Sequence, residues 1–598
     1  MKKMDYLDLI KKEIEKVLQN FSQEKINFTV DIPELEHGAV TSNVCLVASK
    51  ILKKSPQEIF ALFGKNLEKN LENICGKVEF KNPGFINFWL KKEFIRKAGK
   101  LEQKNVWENL FNYFFSNKKS LHNTNLYGEK ILVEHTSVNL FKPFTIGHLM
   151  SNFIGEFVKR IYQEFGAEVV NISYPSDISI GIAKAIFVIK KNGGMQAEIF
   201  KKSEKEIVNY LGEAYRNGIN IYKEAEENDN QENQEIVREI KNIANNLYGN
   251  IESEDLEIFE FTKKINLNYF NNILKKLNSQ FDNFIFESEA GKAGKKIVLE
   301  NVGENKIFQK SEGAIVYIPD ESRKDINTTV FINSEGNPTY AAKDLGLMKI
   351  KKEKFEFDKS YYIVDNEQIP HFKVVFDASE KIFPDLKNKN EHIVHGRMTF
   401  KGQKMSSRLG GVPSGEEVIE NILEAVQEKT KERNIPEEVK MEIALAALRI
   451  SILRSKLGVN IDFDPEKALS FEGDSGPYLC YTAARIHSLL QKGKENNLFP
   501  GCQLAHDGPE RNLERKIFQF ENILETVISE ISPQKLVTYL FELAGEFNYF
   551  YNNTKIIQES NDKENKFESE HYLYVVQKTL NVLTKGLYIL GINAPEKM

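Results

Sequence analysis

Cysteine is scarce in this chain of 598 residues: Cys45, Cys75, Cys480 and Cys502 are the whole complement, with no Cys-x-x-Cys pair and no histidine at metal-ligand spacing. That argues against a disulfide scaffold or a zinc knuckle, and predicts buried or semi-buried thiols in a reducing, cytoplasmic setting. Long apolar runs are missing too. None approaches the ~20 residues that cross a bilayer, so no membrane partner is expected. The opening MKKMDYLDLIKKEIEKVL is charged and amphipathic and lacks the apolar core of a signal peptide. Charge of one sign is not in excess: 81 Lys and Arg against 86 Asp and Glu leave a net charge of −5. No global basic field announces a nucleic acid, although a basic face can sit inside a neutral total. What is present is globular material, 41% hydrophobic and 28% charged. The chain is too long for one core, which predicts several domains.

The stretch Ile131-Leu132-Val133-Glu134 reads as a short strand, followed by a polar loop and Gly147-His148 at the mouth of a helix. Leu149, Phe153, Phe157 and Ile161 recur at helical spacing, Gly166 closes the helix, and residues 167–174 are again strand-like. Strand, loop, helix, strand is a βαβ unit, whose first turn is a site for phosphate.

Upstream, Leu7, Ile10, Ile14 and Val17 form a helical stripe, residues 33–43 a turn-rich loop, and Ser55 opens a helix holding Ile59 and Leu62. The segment ends on KNPGFINFWL (81–90), a turn feeding a strand, so residues 1–110 are expected to hold a small α+β domain. An Asn-, Ser- and Lys-rich stretch (115–125) reads as a linker. After the βαβ unit, Ser176 or Asp177 is placed to cap a helix carrying Ile182, Ala185, Ile186 and Ile189. Residues 192–278 are nearly all charged helix, with an acidic run at 224–235 read as a solvated face, and form a helical insertion. Strand patterns return at 281–288, 296–302, 314–318, 328–333 and 360–365. They predict one doubly wound parallel, Rossmann-like domain over 128–412, split by the insertion. From Glu416 helix follows helix, giving a connecting segment (413–475) and an all-α bundle (476–598), with EGDSGP (472–477) as the joint.

Two stretches carry chemistry. At Thr145-Ile146-Gly147-His148, glycine lets a ligand approach the helix N-terminus, whose free N–H groups favour an anion, and His148 can donate to phosphate. Lys404-Met405-Ser406-Ser407-Arg408 offers lysine, two hydroxyls and arginine to a polyphosphate, with Gly410 and Gly411 beside them. Alone, each reads as readily as helix packing or an ordinary basic loop. Their position at opposite ends of one α/β domain makes them a pair.

VEHTSVNLFKPFTIGHL with GQKMSSRLGG resembles the two ATP-binding motifs of class I aminoacyl-tRNA synthetases, and the whole chain is similar to the arginyl-tRNA synthetase family. Residues 82–88 match the end of that family's N-terminal domain. Ser137-Val138-Asn139 matches its S-x-N loop, Tyr340 and Asp344 its Tyr-x-x-x-Asp element, and Gln368 and His371 its Gln-x-x-His element. FEGDSGPYLCYTAARI (471–486) and GLYILGINAPEKM (586–598) resemble the opening and end of its anticodon-binding bundle.

The resemblance implies activation of L-arginine with ATP and transfer to tRNA(Arg), without a covalent enzyme intermediate. It implies that Glu134, Ser137 and Asn139 bind the ammonium side of arginine, Tyr340 and Asp344 face the guanidinium, Gln368 completes the pocket, and His148, on the α-phosphate side, also touches the arginine. Phe144, Thr145, Gly147, His148, Lys404, Met405, Ser406 and Ser407 would bind ATP, with His148, Lys142, Lys404 and Arg408 as the catalytic groups. Without the family, Glu134 reads as a strand-end surface charge, Tyr340 as core and Asp344 as a helix-start cap. Magnesium would arrive with the nucleotide, so no metal site of the protein's own and no tightly bound cofactor is expected. The tRNA would touch the N-terminal domain at Glu36-His37-Gly38 and around Asn82 to Asn87, and the bundle near Phe547, Tyr549, Phe550, Tyr551 and Lys555. As a family expectation, arginine activation requires bound tRNA. A monomer is expected, because the motifs are complete in one chain.

Three positions depart from the family pattern. Thr145 replaces the first histidine of the first motif, Val138 a proline, and Ser407 the second lysine of the second motif, where Arg408 or Lys142 could supply the lost cation. Two alternatives stand beside this reading: a class I synthetase for another amino acid, and a synthetase-like RNA-binding protein without catalysis.

Overall fold

The computed structural model describes residues 6–21, 26–31, 40–91, 126–228, 230–304, 306–400, 413–501, 508–558 and 563–598. At the N-terminal end, helix Tyr6–Gln19, strands β1 (Val30–Asp31) and β2 (Val40–Ser42), and helices Val44–Leu52 and Pro56–Asn70 precede the hairpin β3 (Cys75–Lys81) and β4 (Phe85–Leu90). The strands form an antiparallel sheet in the order β1-β2-β4-β3. Ile10, Ile14, Val17, Ile59, Phe63, Ile86 and Phe88 fill its core, whereas Leu62 is 40% exposed. Ser55 and Glu58 cap each other's backbone at the third helix, as a Ser-x-x-Glu start demands. Cys45, Cys75 and Cys480 are buried free thiols, each pushed up to about 12 by burial, while Cys502 lies outside the described residues.

The βαβ unit forms as read: β5 (Lys130–Glu134), helix Ile146–Glu164 and β6 (Glu168–Ser173). Leu149, Phe153, Phe157 and Ile161 are fully buried on the helix's inner face. Helix Ile180–Lys191 follows, but its cap is Ser179, whose hydroxyl accepts from the Ile182 N–H, and not Ser176 or Asp177. Asp177 has other work: it accepts from the Ser288 N–H and hydroxyl and pairs with Lys263 at 2.7 Å. Helices Glu204–Glu227, Gln231–Gly249 and Glu254–Lys276 make up the insertion, which leads to β7 (Asn283–Phe284).

Two strand expectations fail beyond this point. Residues 296–302, read as a strand from their β-branched run, lie largely in helix Glu287–Glu300. Glu287, Ala290, Gly291, Gly294, Ile297 and Val298 are its buried positions, at helical spacing, and the helix packs on helix Tyr340–Lys354. Strands β9 (Ala314–Tyr317) and β10 (Thr329–Ile332) do form, but with β8 (Phe308–Ser311), which the sequence reading did not include, they make a separate antiparallel sheet, β10-β9-β8. No helix intervenes between them to make the crossover that parallel pairing needs.

Strands β11 (Lys359–Asp365) and β12 (Asn390–His395), with helix Ile369–Ile382 between them, complete a wholly parallel sheet in the order β12-β11-β5-β6-β7. Strand order reverses between β5 and β11, so the crevice of this doubly wound sheet opens beyond Glu134 and Asp365. A short parallel pair, β13 (Met398–Phe400) with β14 (Ile461–Phe463), ties the sheet's end to the helical region. Helices Gly415–Lys429 and Glu437–Leu453 and the bundle Gly476–Glu495, Arg511–Glu530, Pro533–Asn553 and Lys563–Ile589 match the predicted tail closely. One apolar core runs from helix Ile146–Glu164 into this bundle. Among the described residues no helix is long and apolar enough to cross a membrane.

The tightest packing in the sheet region is between helices Glu287–Glu300 and Tyr340–Lys354. A Cβ on Gly346 would lie 1.9 Å from the Ala290 carbonyl oxygen, and one on Gly294 1.8 Å from that of Ala342. Gly346→Ala must therefore force the helices apart, and a stability loss of about 1–3 kcal/mol is expected in urea denaturation, with a raised KM for arginine. Wild-type stability in that variant would contradict this reading of the crossing.

Candidate active site

The chain leaves β5 through a strained turn. Thr136, a β-branched residue, holds φ at +55°, and three hydrogen bonds keep it there. Its N–H donates to Ser151 Oγ (3.0 Å), its carbonyl accepts from Ser173 Oγ (3.1 Å), and its hydroxyl meets His135 Nδ1 (2.7 Å). The loop then runs beside the end of β6: Leu140 N–H donates to the Ser176 carbonyl and Ser176 N–H to that of Val138. Ser137 Oγ accepts from the Tyr174 N–H (3.3 Å), and Asn139 bridges to Ser176. The sequence marks 145–148 as a phosphate turn; the structure ties the loop before it to 173–176.

At the helix mouth, Thr145 and His148 form a reciprocal cap. Thr145 Oγ1 accepts from the His148 N–H (3.3 Å), and His148 Nδ1 accepts from the Thr145 N–H (3.1 Å). The departure at Thr145 thus has a structural role, and Nδ1 as acceptor leaves the proton of a neutral imidazole on Nε2, free to donate. Burial, with the charges of Lys142 and His395, pushes His148 down to about 4. The Phe144 ring packs on the imidazole at 5.6 Å between centroids. A Cβ on Gly147 would meet only Thr145 Oγ1, at 3.6 Å, so nothing in the fold itself demands glycine there. Lys142 lies over the Tyr215 ring at 4.6 Å.

Lys404, Met405, Ser406, Ser407 and Arg408 lie outside the described residues, as do Glu36, His37 and Gly38. Both flanks of residues 401–412 nevertheless reach the first motif. His395, at the end of β12, acts electrostatically on His148, and the Gly415 N–H donates to the Phe144 carbonyl at 2.7 Å.

Around the mouth of β5 the carboxylates are buried. Glu134, which without the family reads as a surface charge, is 6% exposed and pairs with the fully buried Lys351 at 2.5 Å. Burial raises the Glu134 carboxyl and lowers the Lys351 ammonium, and as a pair the two add no net charge to the site. Glu287, raised by burial, is held by Lys343 at 2.8 Å, and Asp177 by Lys263. Asp344 sits in the second turn of helix Tyr340–Lys354, away from the cap position, and pairs with His371 Nε2 at 2.5 Å. Among the described residues it has no lysine or arginine partner. Asp344 is thus the carboxylate of the cluster that no lysine or arginine neutralises, an acceptor suited to a cationic side chain. Tyr340 stands at the edge, 66% exposed and not in the core, with Lys343 5.4 Å from its ring and Tyr215 and Tyr248 among the groups acting on it. Gln368 is exposed just past β11.

Glu287, Lys343, Lys351 and Lys263 were not singled out from sequence. Their surroundings are charged helices, where a buried lysine and a solvated one look alike. In the bundle the supposed tRNA-facing aromatics divide: Phe547 and Phe550 are core, whereas Tyr549 (66% exposed) and Tyr551 (39%) face outward, with Arg485 5.1 Å from the Tyr551 ring.

His135 is buried between Asn171 Oδ1 (2.9 Å) and Thr136, and burial pushes it, like His148, down to about 4 from an ordinary 6.5. Between those values the unfolded chain takes up protons that the folded one refuses, so stability is full above pH 6.5 and lost as pH falls toward 4. Denaturation midpoints should drop across that window, and His135→Gln should flatten the slope. A slope that the substitution leaves unaltered would contradict the assignment.

The sequence family described as tRNA synthetases class I (R), catalytic domain, matches residues 111–464. The arginyl tRNA synthetase N terminal domain matches residues 5–90, and the DALR anticodon binding domain residues 479–598. Among curated relatives, the chain is 28% identical to an arginine–tRNA ligase of Borreliella burgdorferi, over 97% of this chain and 96% of that one. It is 27% identical to arginine–tRNA ligase 2 of Bacillus anthracis over the full length of both. The fold is similar to the arginyl-tRNA synthetase of Thermus thermophilus, with TM-score 0.73 and 23% identity, covering 99% of this chain and 100% of that one. It is also similar to that of Plasmodium falciparum, with TM-score 0.69 and 18% identity, covering 99% of each.

Proposed function

The chain belongs to the class I arginyl-tRNA synthetase family, and from that premise we propose which of its residues perform each part of the work. The activity is ATP-dependent attachment of arginine to tRNA. The arginine carboxylate attacks the α-phosphorus of ATP in line, pyrophosphate leaves, and the 3′-terminal adenosine hydroxyl of the tRNA then takes the aminoacyl group from the adenylate.

The observation that supports the assignment is that the capped helix mouth and the carboxylate cluster both lie beyond the carboxyl ends of the same parallel strands. The guanidinium binds Asp344, the cluster's carboxylate without a lysine, with Glu287 beside it and Tyr340 at the mouth. Ser137, Asn139 and Gln368 receive the ammonium side. Glu134, locked to Lys351, sets the shape and charge of the floor instead of binding the ammonium group directly. His148 donates through Nε2–H toward the α-phosphate, Gly147 admits the nucleotide to the helix N-terminus, and Phe144 steadies the imidazole. Thr145 acts as the cap that aims His148. Lys142, Lys404 and Arg408 supply cations to the leaving pyrophosphate, with Met405, Ser406 and Ser407 on the nucleotide. Magnesium enters with ATP as substrate.

Residues 1–110 and 476–598 contact the tRNA, the latter through Tyr549 and Tyr551, while 128–412 is the catalytic domain, with its insertion at 192–278, and 413–475 connects. Buried thiols and a site complete within one chain support a cytoplasmic monomer.

ATP–pyrophosphate exchange with each amino acid, with and without tRNA, tests this reading. Exchange with arginine alone, and only when tRNA is present, is expected; exchange with another amino acid contradicts it. In the same assay Lys142→Ala should lower the exchange rate at saturation about tenfold or more, with a smaller change in the arginine KM. Unchanged exchange would remove Lys142 from the leaving-group side.

A further inference from the structure

Tyr174 belongs to none of the motifs. It follows β6 directly, where the parallel partner β5 ends at Glu134. Its ring packs in the apolar cluster with Ile172, Ile285, Ala341, Ala342 and Leu345, and the residue is only 7% exposed. The buried hydroxyl has no hydrogen-bond partner among the described residues. The charges that act on it are, in order, those of Asp344, Glu287, Glu134 and Asp177. The hydroxyl therefore stands among the carboxylates without being tied to one.

Burial and those four charges hold the phenol far above its ordinary range, so it remains a neutral group able to accept one hydrogen bond and donate another. Leaving such a group unpaired is costly, and folded chains pair nearly all of them. Pairing within the chain is available elsewhere at this site: Lys351 takes Glu134, Lys343 takes Glu287, and His371 takes one oxygen of Asp344. A planar cation with several N–H donors fits what remains, one N–H reaching a carboxylate oxygen and another the phenol oxygen. An ammonium group, a compact point charge, does not span two acceptors in a fixed plane in that way.

We propose that Tyr174 is a specificity-determining residue for arginine, its hydroxyl completing with Asp344 the site that receives the guanidinium. This rests on the reading of Asp344 as the guanidinium carboxylate. The hydroxyl supplies an acceptor that adds no charge, and selects by geometry for a planar, many-donor group.

The test uses the full-length chain with tRNA and ATP. Tyr174→Phe removes one oxygen and leaves the packing of the ring. Because that oxygen has no partner among the described residues, the melting temperature should stay level or rise. The KM for arginine should increase roughly ten- to a hundredfold, the effect of losing a hydrogen bond to a charged group, while the KM values for ATP and tRNA hold within about twofold. An unchanged arginine KM overturns the proposal. So does a lowered melting temperature with the arginine and ATP KM values rising together, which would mark the hydroxyl as structural. Asp344→Asn, measured alongside, separates the two levels. If it raises the arginine KM where Tyr174→Phe does not, the pocket stands without Tyr174. If neither substitution raises it, the pocket assignment falls as well.

Discussion

Helix Tyr340–Lys354 can deliver its charges only by lying in backbone contact with helix Glu287–Glu300, and the rest of the site depends on that approach. From this one helix Lys343 reaches Glu287, Asp344 reaches His371 and Lys351 reaches Glu134. The first and third contacts neutralise buried carboxylates, and the second leaves one carboxylate without a permanent cation. Two buried ions held at short range are stabilising only while both remain in place, because an uncompensated charge in the interior is far more costly than the pair. A small shift of the helix would therefore alter the pocket's charge as well as its shape. Gly294 and Gly346 set the limit, since neither position has room for one more carbon.

The proposed nucleotide side is anchored from the opposite direction. Helix Ile146–Glu164 begins with the Thr145–His148 cap and ends against the terminal bundle, where Lys585 pairs with Glu164 at 2.8 Å and Arg160 lies 5.5 Å from the Tyr588 ring. Arg449, fully buried, donates to the Leu277 carbonyl and stacks over Phe153 at 4.3 Å. Its guanidinium and that of Arg160 crowd Gly591 so closely that a Cβ would lie 2.1 and 2.4 Å away. The same helix whose N-terminus is proposed to receive phosphate thus packs against the bundle at its far end, so the two halves of the chain share one rigid element.

Much of this was legible in the residues. The βαβ unit, the charged insertion and the helical tail follow from periodicity, because each buries one face in a regular pattern. The two nucleotide motifs and the Tyr340, Asp344 and Gln368 elements were recognisable as text, and Asp344 and His371 do meet. Periodicity failed at 296–302, where a β-branched run lies in a helix chosen by its small-residue face, and at β8 to β10, where strand patterns gave no hint of a separate sheet. The burial of Glu134 was hidden for a different reason. A glutamate at a strand end reads as solvated until a lysine more than two hundred positions away is seen against it. Buried pairing is a tertiary property, and no local pattern announces Lys351, Lys343 or the unpartnered hydroxyl of Tyr174.

The central claim is that one sheet edge holds the guanidinium in the carboxylate cluster and the reacting phosphate at the capped helix. A crystal structure with a non-hydrolysable arginyl-adenylate analogue, its sulfamate standing in for the phosphate, tests it most directly. The account predicts the guanidinium within hydrogen-bond distance of Asp344 and the sulfamate within reach of His148 Nε2 and the N–H groups at Gly147. A guanidinium directed to solvent, with Asp344 still bound only to His371, would contradict it.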